Sequence, residues 1–262
     1  MPSQTIDIAL VQPDTLWEDI PGNLDNLDNL FGSVEPGTNL VILPETFSTG
    51  FSMNVHACAD EGKAREWMQK RSSEYGWSIT GSVITREEQG FYNRMHWITP
   101  HPDNFLWYDK KHLFRMGREE KNFLPGNRRV IAQTGGVRVL LQICYDIRFP
   151  VFSRNRNDYD LIIYIANWPE VRQHVWDTLL VARALENQAY VAGVNRVGTD
   201  GEGVSYVGGS CVIDPKGQRV ASLDEPKEGI LHASIDINEL RRFRNSFPAW
   251  KDADSFTMPG ID

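Results

Sequence analysis

Short apolar runs recur along the whole chain, and the strongest constraint on the fold is that several of them are apolar on both sides. They lie at residues 6–11, 40–43, 77–84, 92–98, 105–108, 137–143, 161–166, 190–195, 209–213 and 230–235. A strand with one wet face alternates apolar and polar residues. "LIIYIA" (161–166) does not; it is apolar at both parities. Such strands need cover on both faces, so the chain must supply helices to lay against its sheets. Leu24, Leu27, Leu30 and Phe31 recur at helical spacing in 21–31, and 64–75 is mixed and amphipathic. A longer helix over 171–189 is predicted with Val175, Leu179, Ala182, Leu185 and Ala189 on one face. Strands alternating with helices define an α/β chain. Between 77 and 109, however, strands follow one another without helices, and "ITPHPDNF" (98–105) reads as a hairpin connection. A mixed sheet is therefore expected rather than a wholly parallel one.

Nothing divides the 262 residues. With no Ser/Gly/Pro-rich linker and no short-period repeat, one domain over 1–262 is expected, large enough for a substantial core. Residues 246–262, including "SFPAWKDADSF", read as a polar tail with scattered aromatics that packs across a surface, its own or a partner's. The formal net charge is -8 and Lys and Arg are not clustered, which sets nucleic acid aside as a partner. The same charge repels an anionic substrate, so a site for one must supply local arginines. No apolar segment nears the ~20 residues of a bilayer-spanning helix, so no membrane association is expected. Asp7 interrupts the first apolar run and no basic stretch precedes it, which is unlike a signal peptide. Cys58, Cys144 and Cys211 are far apart and no C-x-x-C occurs, so neither a disulfide framework nor a zinc ribbon is expected. Scattered free cysteines fit a reducing compartment, and the expected location is the cytoplasm.

Cys144 stands apart from the other two. In "LLQICYDIRFP" (140–150) an apolar run delivers it to an abrupt polar turn holding Tyr145, Asp146 and Arg148, and "RFPVFSRN" can open a short helix. A strand–turn–helix exposes a nucleophile and surrounds it with N–H donors; a small buried residue at a strand end would look the same locally. Glu45 in "VILPETFSTGF" follows an apolar strand, where α/β sheets place functional groups, or else caps its own loop. In "WYDKKHLFRMGREEKNFLPG" (107–126), Lys110 and Lys111 end a strand, and side-chain alternation lets only one of them face a given side. Glu119 and Glu120 follow, and a solvated charge cluster is the plain alternative. His112 in the same stretch could serve Cys144 as a papain-like base. Beyond "NWP" (167–169), Arg172 falls in the first turn of a helix, against the helix dipole. An anion would explain it, and so would an ion pair with Glu170. Arg148 is a rival for the anion, or a partner of Asp146; Arg115 and Arg118 lie on a loop that can point away.

Taken together and in order, "LPETF", "YDKKHLF", "ICYDIRFP" and the "NWP…ARALENQAY" block resemble the nitrilase superfamily of carbon–nitrogen hydrolases. The resemblance runs from "IALVQ" to "IDINEL", nearly the whole chain. Within that superfamily, "GFS", "HLFRM", "SRNRNDYD", "NWP" and "FPAWKDAD" look most like bacterial omega-amidases, which act on 2-oxoglutaramate and 2-oxosuccinamate. The resemblance implies a four-layer α–β–β–α sandwich of two mixed sheets and a Glu–Lys–Cys triad. Glu45 matches the general base and Cys144 the nucleophile. The family's Lys-x-His spacing selects Lys110, and a glutamate seven residues before a glycine, here Gly126, selects Glu119. Lys110 and the Tyr145 backbone N–H are the implied oxyanion donors; Arg172, Arg148 and Trp168 are the expected substrate contacts. Neither a metal nor an organic cofactor is implied. Family members commonly form homodimers through helices near the nucleophile. Similar amidases carry a His directly before the Trp that is Trp176 here, but this chain has Val175 there. His174 sits one position earlier, about 100° away on a helix, and receives no catalytic role. The expected reaction hydrolyses the terminal amide of a small 2-oxo dicarboxylic acid monoamide, through a cysteine thioester, to the 2-oxo acid and ammonia. The alternatives are another amide (an N-carbamoyl compound, a nitrile, deaminated glutathione) and a non-catalytic binding or redox-sensing protein on the same scaffold.

Overall fold

The structure is a computed structural model that describes residues 5–101 and 105–258. In chain order its strands are β1 (Thr5–Gln12), β2 (Leu40–Ile42), β3 (Ser78–Glu87), β4 (Gly90–Ile98), β5 (Leu106–Asp109), β6 (Ile131–Thr134), β7 (Val137–Ile143), β8 (Leu161–Ala166), β9 (Tyr190–Asn195), β10 (Val197–Thr199), β11 (Ser205–Val207), β12 (Cys211–Ile213), β13 (Arg219–Ser222) and β14 (Gly229–Asp236). The helices are α1 (Ile20–Phe31), α2 (Val55–Cys58), α3 (Lys63–Tyr75), α4 (Pro150–Ser153), α5 (Gln173–Asn187) and α6 (Ile237–Ser246). One six-stranded sheet runs β14-β1-β2-β3-β4-β5 and the other β13-β12-β9-β8-β7-β6, with β10-β11 as a separate ribbon. Each large sheet is mixed. β1, β2 and β3 are mutually parallel, as are β7, β8 and β9, and the flanking strands are antiparallel.

The two-sided strands explain the layering. Along β1, Ile6, Ile8 and Leu10 point into the space between the sheets, while Ala9 and Val11 point outward onto Leu27 and Phe31 of α1 and Trp67 and Met68 of α3. Along β8, Leu161, Ile163 and Ile165 join the same central core, and Ile162, Tyr164 and Ala166 pack outward with Trp176, Leu180 and Ala184 of α5. Period-2 alternation turns each apolar run into two apolar faces. The result is the expected α–β–β–α sandwich.

The face that α5 buries differs from the sequence expectation. Its buried residues are Trp176, Leu180, Arg183, Ala184 and Asn187, while Leu185, placed on the core stripe from sequence, is 51% exposed. Gly193 of β9 decides this. A Cβ there would lie 2.6 Å from Leu180 Cδ1 and 2.9 Å from Trp176 Cζ2, so the missing side chain opens a groove that receives those two residues. Val175 and Leu179 are left half-buried beside it. Helix α5 also starts later than expected: Glu170–Arg172 form a 3-10 turn, and Arg172 sits at the helix N-cap.

The 98–105 connection joins β4 and β5, which pair antiparallel as expected; its residues 102–104 lie outside the described residues. The polar tail follows its own chain. Arg244 of α6 donates to the carbonyls of Gln188 and Tyr159 and pairs with Asp160, and Gln188 Nε2 donates to Phe247 O. Further on, Arg156 lies 5.1 Å over the Phe256 ring; residues 259–262 of the tail are not among those described.

His96 on β4 is buried at 3% exposure and stacks on Phe105, and its Nδ1 has no hydrogen-bond partner. Burial, then the nearby Arg94 and Arg65 charges, push its pKa down to about 3 from 6.5. The unfolded chain therefore takes up a proton below pH 6.5 that the folded chain refuses down to about pH 3. Stability is whole above pH 6.5 and falls as pH drops through that window. Urea denaturation of wild type and His96→Gln at pH 7 and pH 4 is expected to show wild type losing about 3 kcal/mol more than the variant over that interval. Parallel losses would refute this account of His96.

Candidate active site

Three strand ends meet at one edge of the sandwich. β2 ends three residues before Glu45, and the following turn is held to β3: Thr46 N donates to Ser82 Oγ at 2.8 Å and Phe47 N to Ser82 O at 3.1 Å. β5 ends at Asp109, and Lys110 N donates to Asn93 O of β4 at 2.9 Å. The loop after Lys110 carries Glu119 and closes back on β5 at Gly126, where a Cβ would stand 2.1 Å from Asp109 O. Only glycine permits that approach. β7 delivers Cys144, which opens a 3-10 turn over Cys144–Arg148 with φ of 44°. That left-handed backbone is unfavourable for a residue with a Cβ and is typical of functional turns.

The side chains converge on the Lys110 ammonium. Its Nζ donates to Glu45 Oε1 at 2.8 Å and to Glu119 Oε1 at 3.0 Å, with Glu119 Oε2 at 2.9 Å. All three residues are buried to 1% exposure or less. Asn93 Nδ2 bridges the same carboxylates, 2.8 Å from Glu45 Oε1 and 3.3 Å from Glu119 Oε1. The second oxygen of Glu45 accepts from Asn167 N at 2.8 Å, and that of Glu119 from Phe114 N at 2.6 Å. Cys144 Sγ lies 4.0 Å from Asn167 O. The neighbours weighed in the sequence stay outside: Lys111 and Glu120 are half-buried, and neither side chain joins the cluster.

Burial and charge act against each other here. Burial disfavours the Lys110 cation, but Glu119 and Glu45 outweigh it and hold its pKa above the usual value. Glu119 is pushed up by burial, with Lys110 opposing and Glu45 adding to the rise. The Cys144 thiol is pushed well above its ordinary value by burial and by Glu45, with Lys110 opposing. The resting sulfur is therefore a thiol, and it needs a base to become nucleophilic.

A third buried carboxylate ties the cysteine turn to the lysine strand. Asp146 accepts from Ile143 N at 2.9 Å, Tyr108 Oη at 2.7 Å and His112 N at 3.0 Å, and lies 2.7 Å from His112 Nδ1. Tyr108 belongs to β5, two residues before Lys110. His112 is thereby accounted for. It pairs with Asp146, stacks on Phe149 at 3.8 Å, and does not line the cavity.

Beside the cluster lies a cavity of about 730 Å³ whose lining includes Glu45, Lys110 and Cys144. Tyr145, Arg148, Trp168 and Arg172 also line it, as does Arg118, which the sequence reading set aside. Arg172 lies 5.3 Å over the Phe114 ring and Arg148 5.5 Å over Trp168. Among the described residues no carboxylate pairs with either guanidinium; Asp146 is engaged elsewhere, and Glu170 makes no ion pair with Arg172. Trp168 is held by Nε1 donating to Arg172 O at 2.8 Å. Among the described residues there is no cluster of three or more His, Cys, Asp or Glu able to hold a metal ion, and no helix is long and apolar enough to cross a membrane.

Sequence reasoning missed Asn93, the structural roles of Asn167 and Asp146, and the cavity position of Tyr206. For Asn93 a signal existed. In "FYNRMHW" it shares parity with Phe91, Met95 and Trp97, which face inward, so a polar side chain stands on a buried face.

A buried Glu–Lys–Glu cluster beside a cysteine at a strained turn, on a sandwich of two mixed sheets, is an arrangement suited to acyl transfer from amides. The carbon-nitrogen hydrolase family model matches residues 7–245, and the chain belongs to that family. It is 43% identical to omega-amidase YafV of Escherichia coli over 97% of this chain and 98% of that protein. It is 34% identical to 2-oxoglutaramate amidase of Bacillus subtilis over 82% and 84% of the two chains. Among solved structures, a CN-hydrolase superfamily protein of Xanthomonas campestris with an arsenic adduct in its active site superimposes with a TM-score of 0.94. It shares 41% identity, with 98% of this chain and all of that one covered.

Removing the central cation tests the electrostatics. Lys110→Met leaves two buried carboxylates facing one another and is expected to cost about 3–5 kcal/mol at pH 7, whereas Lys111→Met stays within about 0.5 kcal/mol. The Lys110 loss shrinks towards acid pH, because a proton on either carboxylate replaces the missing charge. Urea denaturation of both variants at pH 7 and pH 5 reads this; equal costs for the two lysines would refute it.

Proposed function

We propose that this chain is an omega-amidase that hydrolyses the terminal amide of 2-oxoglutaramate or 2-oxosuccinamate to the 2-oxo acid and ammonia. The observation that carries the reading is one cavity lined both by Cys144, Glu45 and Lys110 and by Arg172 and Arg148, which have no carboxylate partner among the described residues. Glu45 takes the thiol proton as Cys144 attacks the amide carbon. Lys110 and the Tyr145 backbone N–H hold the oxyanion, and Glu119 orients Lys110. Glu45 returns the proton to the leaving nitrogen, ammonia departs, and a thioester remains. Glu45 then activates the water that hydrolyses it. Arg172, its guanidinium face on Phe114, offers an edge to the remote carboxylate, and Trp168 and Arg148 form the adjoining wall. The 43% identity to omega-amidase YafV supports this substrate class over the other amides of the family.

A homodimer through α4 and α5 belongs to the same proposal. The half-buried Val175 and Leu179 and the exposed Leu185 on α5, with Val151 exposed at 55% on α4, support it. A cytoplasmic location is supported by the three free cysteines.

Ammonia release is to be measured on 2-oxoglutaramate, 2-oxosuccinamate, glutamine, an N-carbamoyl amino acid, a nitrile and deaminated glutathione. The 2-oxo acid amides are expected to be turned over fastest. Cys144→Ala is expected to abolish turnover, while Cys58→Ala and Cys211→Ala retain it. Preference for another amide would replace the substrate, and activity in Cys144→Ala would remove the mechanism.

Arg172→Lys and Arg172→Ala are expected to lose activity selectively on 2-oxoglutaramate relative to an uncharged short amide, since a planar bidentate contact is poorly replaced by lysine. Equal loss on both substrates would make Arg172 structural, and no change on either would shift the role to Arg148.

A further inference from the structure

The buried cluster contains two carboxylates and one ammonium, so its charges do not balance. Glu45 and Glu119 each contact Lys110, and one lysine cannot neutralise both. The remaining groups facing them are the Cys144 thiol, neutral at rest, and Tyr206 of β11, whose hydroxyl is committed to Asp200 at 2.7 Å. Asn93 supplies what is missing. Both contacts of its Nδ2 run to carboxylate oxygens, one on each glutamate. Its Oδ1 has no partner among the described residues, so the amide leaves a buried acceptor unsatisfied while both glutamates receive an N–H. The reverse orientation would point a carbonyl at two carboxylates. Its backbone carbonyl also receives the Lys110 N–H. One residue of β4, 1% exposed and absent from the cavity wall, thus holds the strand end that carries the lysine and both acids that contact it.

We infer that Asn93 is a positioning residue that keeps Glu45 and Glu119 ionised together, so that Glu45 is free to accept the Cys144 proton at neutral pH. The inference rests on the amidase reading, in which Glu45 is the base. Without the amide N–H groups, two carboxylates sharing one ammonium take up a proton as a coupled pair. A protonated Glu45 cannot receive the thiol proton.

The test is the pH profile of kcat/KM for 2-oxoglutaramate in wild type, Asn93→Ala and Asn93→Asp. Asn93→Ala is expected to move the acid limb up by about one unit or more. Its deficit then grows as pH falls, approaching roughly tenfold below the wild-type limb, and is smallest at pH 9. Asn93→Asp keeps the side-chain shape and adds a third carboxyl group, so it should move the limb at least as far. It carries the test if the alanine variant does not fold. A profile lowered by the same factor at every pH, with the limb in place, would mean that Asn93 only shapes the site, and would overturn the inference. The rate of Cys144 alkylation by 2-iodoethanol, a neutral reagent, followed by peptide mass across the same pH range, reads the same proton without any amide. If wild type hydrolyses no 2-oxo acid amide, the amidase reading fails. The alkylation profile then still decides the role of Asn93: a raised limb in the variants supports it and an unmoved one overturns it.

Discussion

A single ammonium buried between two carboxylates is the constraint around which the rest of the site is arranged. Each ion is expensive to bury, and a buried pair is no general source of stability. What the arrangement supplies is a fixed geometry. Every oxygen of Glu45 and Glu119 has a donor, from Lys110, Asn93, Asn167 or Phe114. A polar network satisfied in this way is stiff, and moving any member exposes a buried charge. The Cys144 thiol lies in the field of that network. Its raised pKa keeps it protonated at neutral pH.

The two sheets bring these groups together by unequal routes. Glu45 and Cys144 follow the C-terminal ends of β2 and β7, Lys110 follows β5, and Asn167 follows β8. Glu45 and Lys110 are 65 residues apart in the chain, and Glu45 and Asn167 are 122 apart. Their contact depends on how the sheets pack. Asp146 makes that packing specific at Cys144: it accepts from the backbone of β7 and from Tyr108 of β5, so the cysteine turn and the lysine strand keep one relative position.

The cavity holds a second set of charges. Two of its arginines rest on aromatic faces, Arg172 on Phe114 and Arg148 on Trp168. Stacking leaves the edge of a guanidinium available for hydrogen bonding while restricting its rotamers. In a chain of net charge -8, these two guanidinium groups are cations without carboxylate partners among the described residues, set in a wall that also carries Glu18, Asp200 and Glu202.

Much of this was legible before any coordinates. Apolar runs on both parities required cover on both sides, which pointed to a layered α/β architecture, and strand alternation let only one of Lys110 and Lys111 face a given side. These are local properties of the segments; which lysine and which of Glu119 and Glu120 belong to the site came from the resemblance to carbon–nitrogen hydrolases. The buried face of α5 was not local. Two apolar stripes compete on that helix, and the groove at Gly193, on a different strand, chose between them. The short polar strands β6, β10, β11 and β13 and the charged helix α6 had too little apolar pattern to register. Asn93 was detectable only as a polar residue on an inward face. Whether it would meet a carboxylate, a backbone group or nothing depended on the approach of two glutamates from 48 and 26 residues away. The sequence by itself determined which side chains stand at the ends of which strands. Only the packing of the sheets decided which of them touch, because hydrogen-bond distances between residues so far apart are a property of the assembled layers and not of any segment.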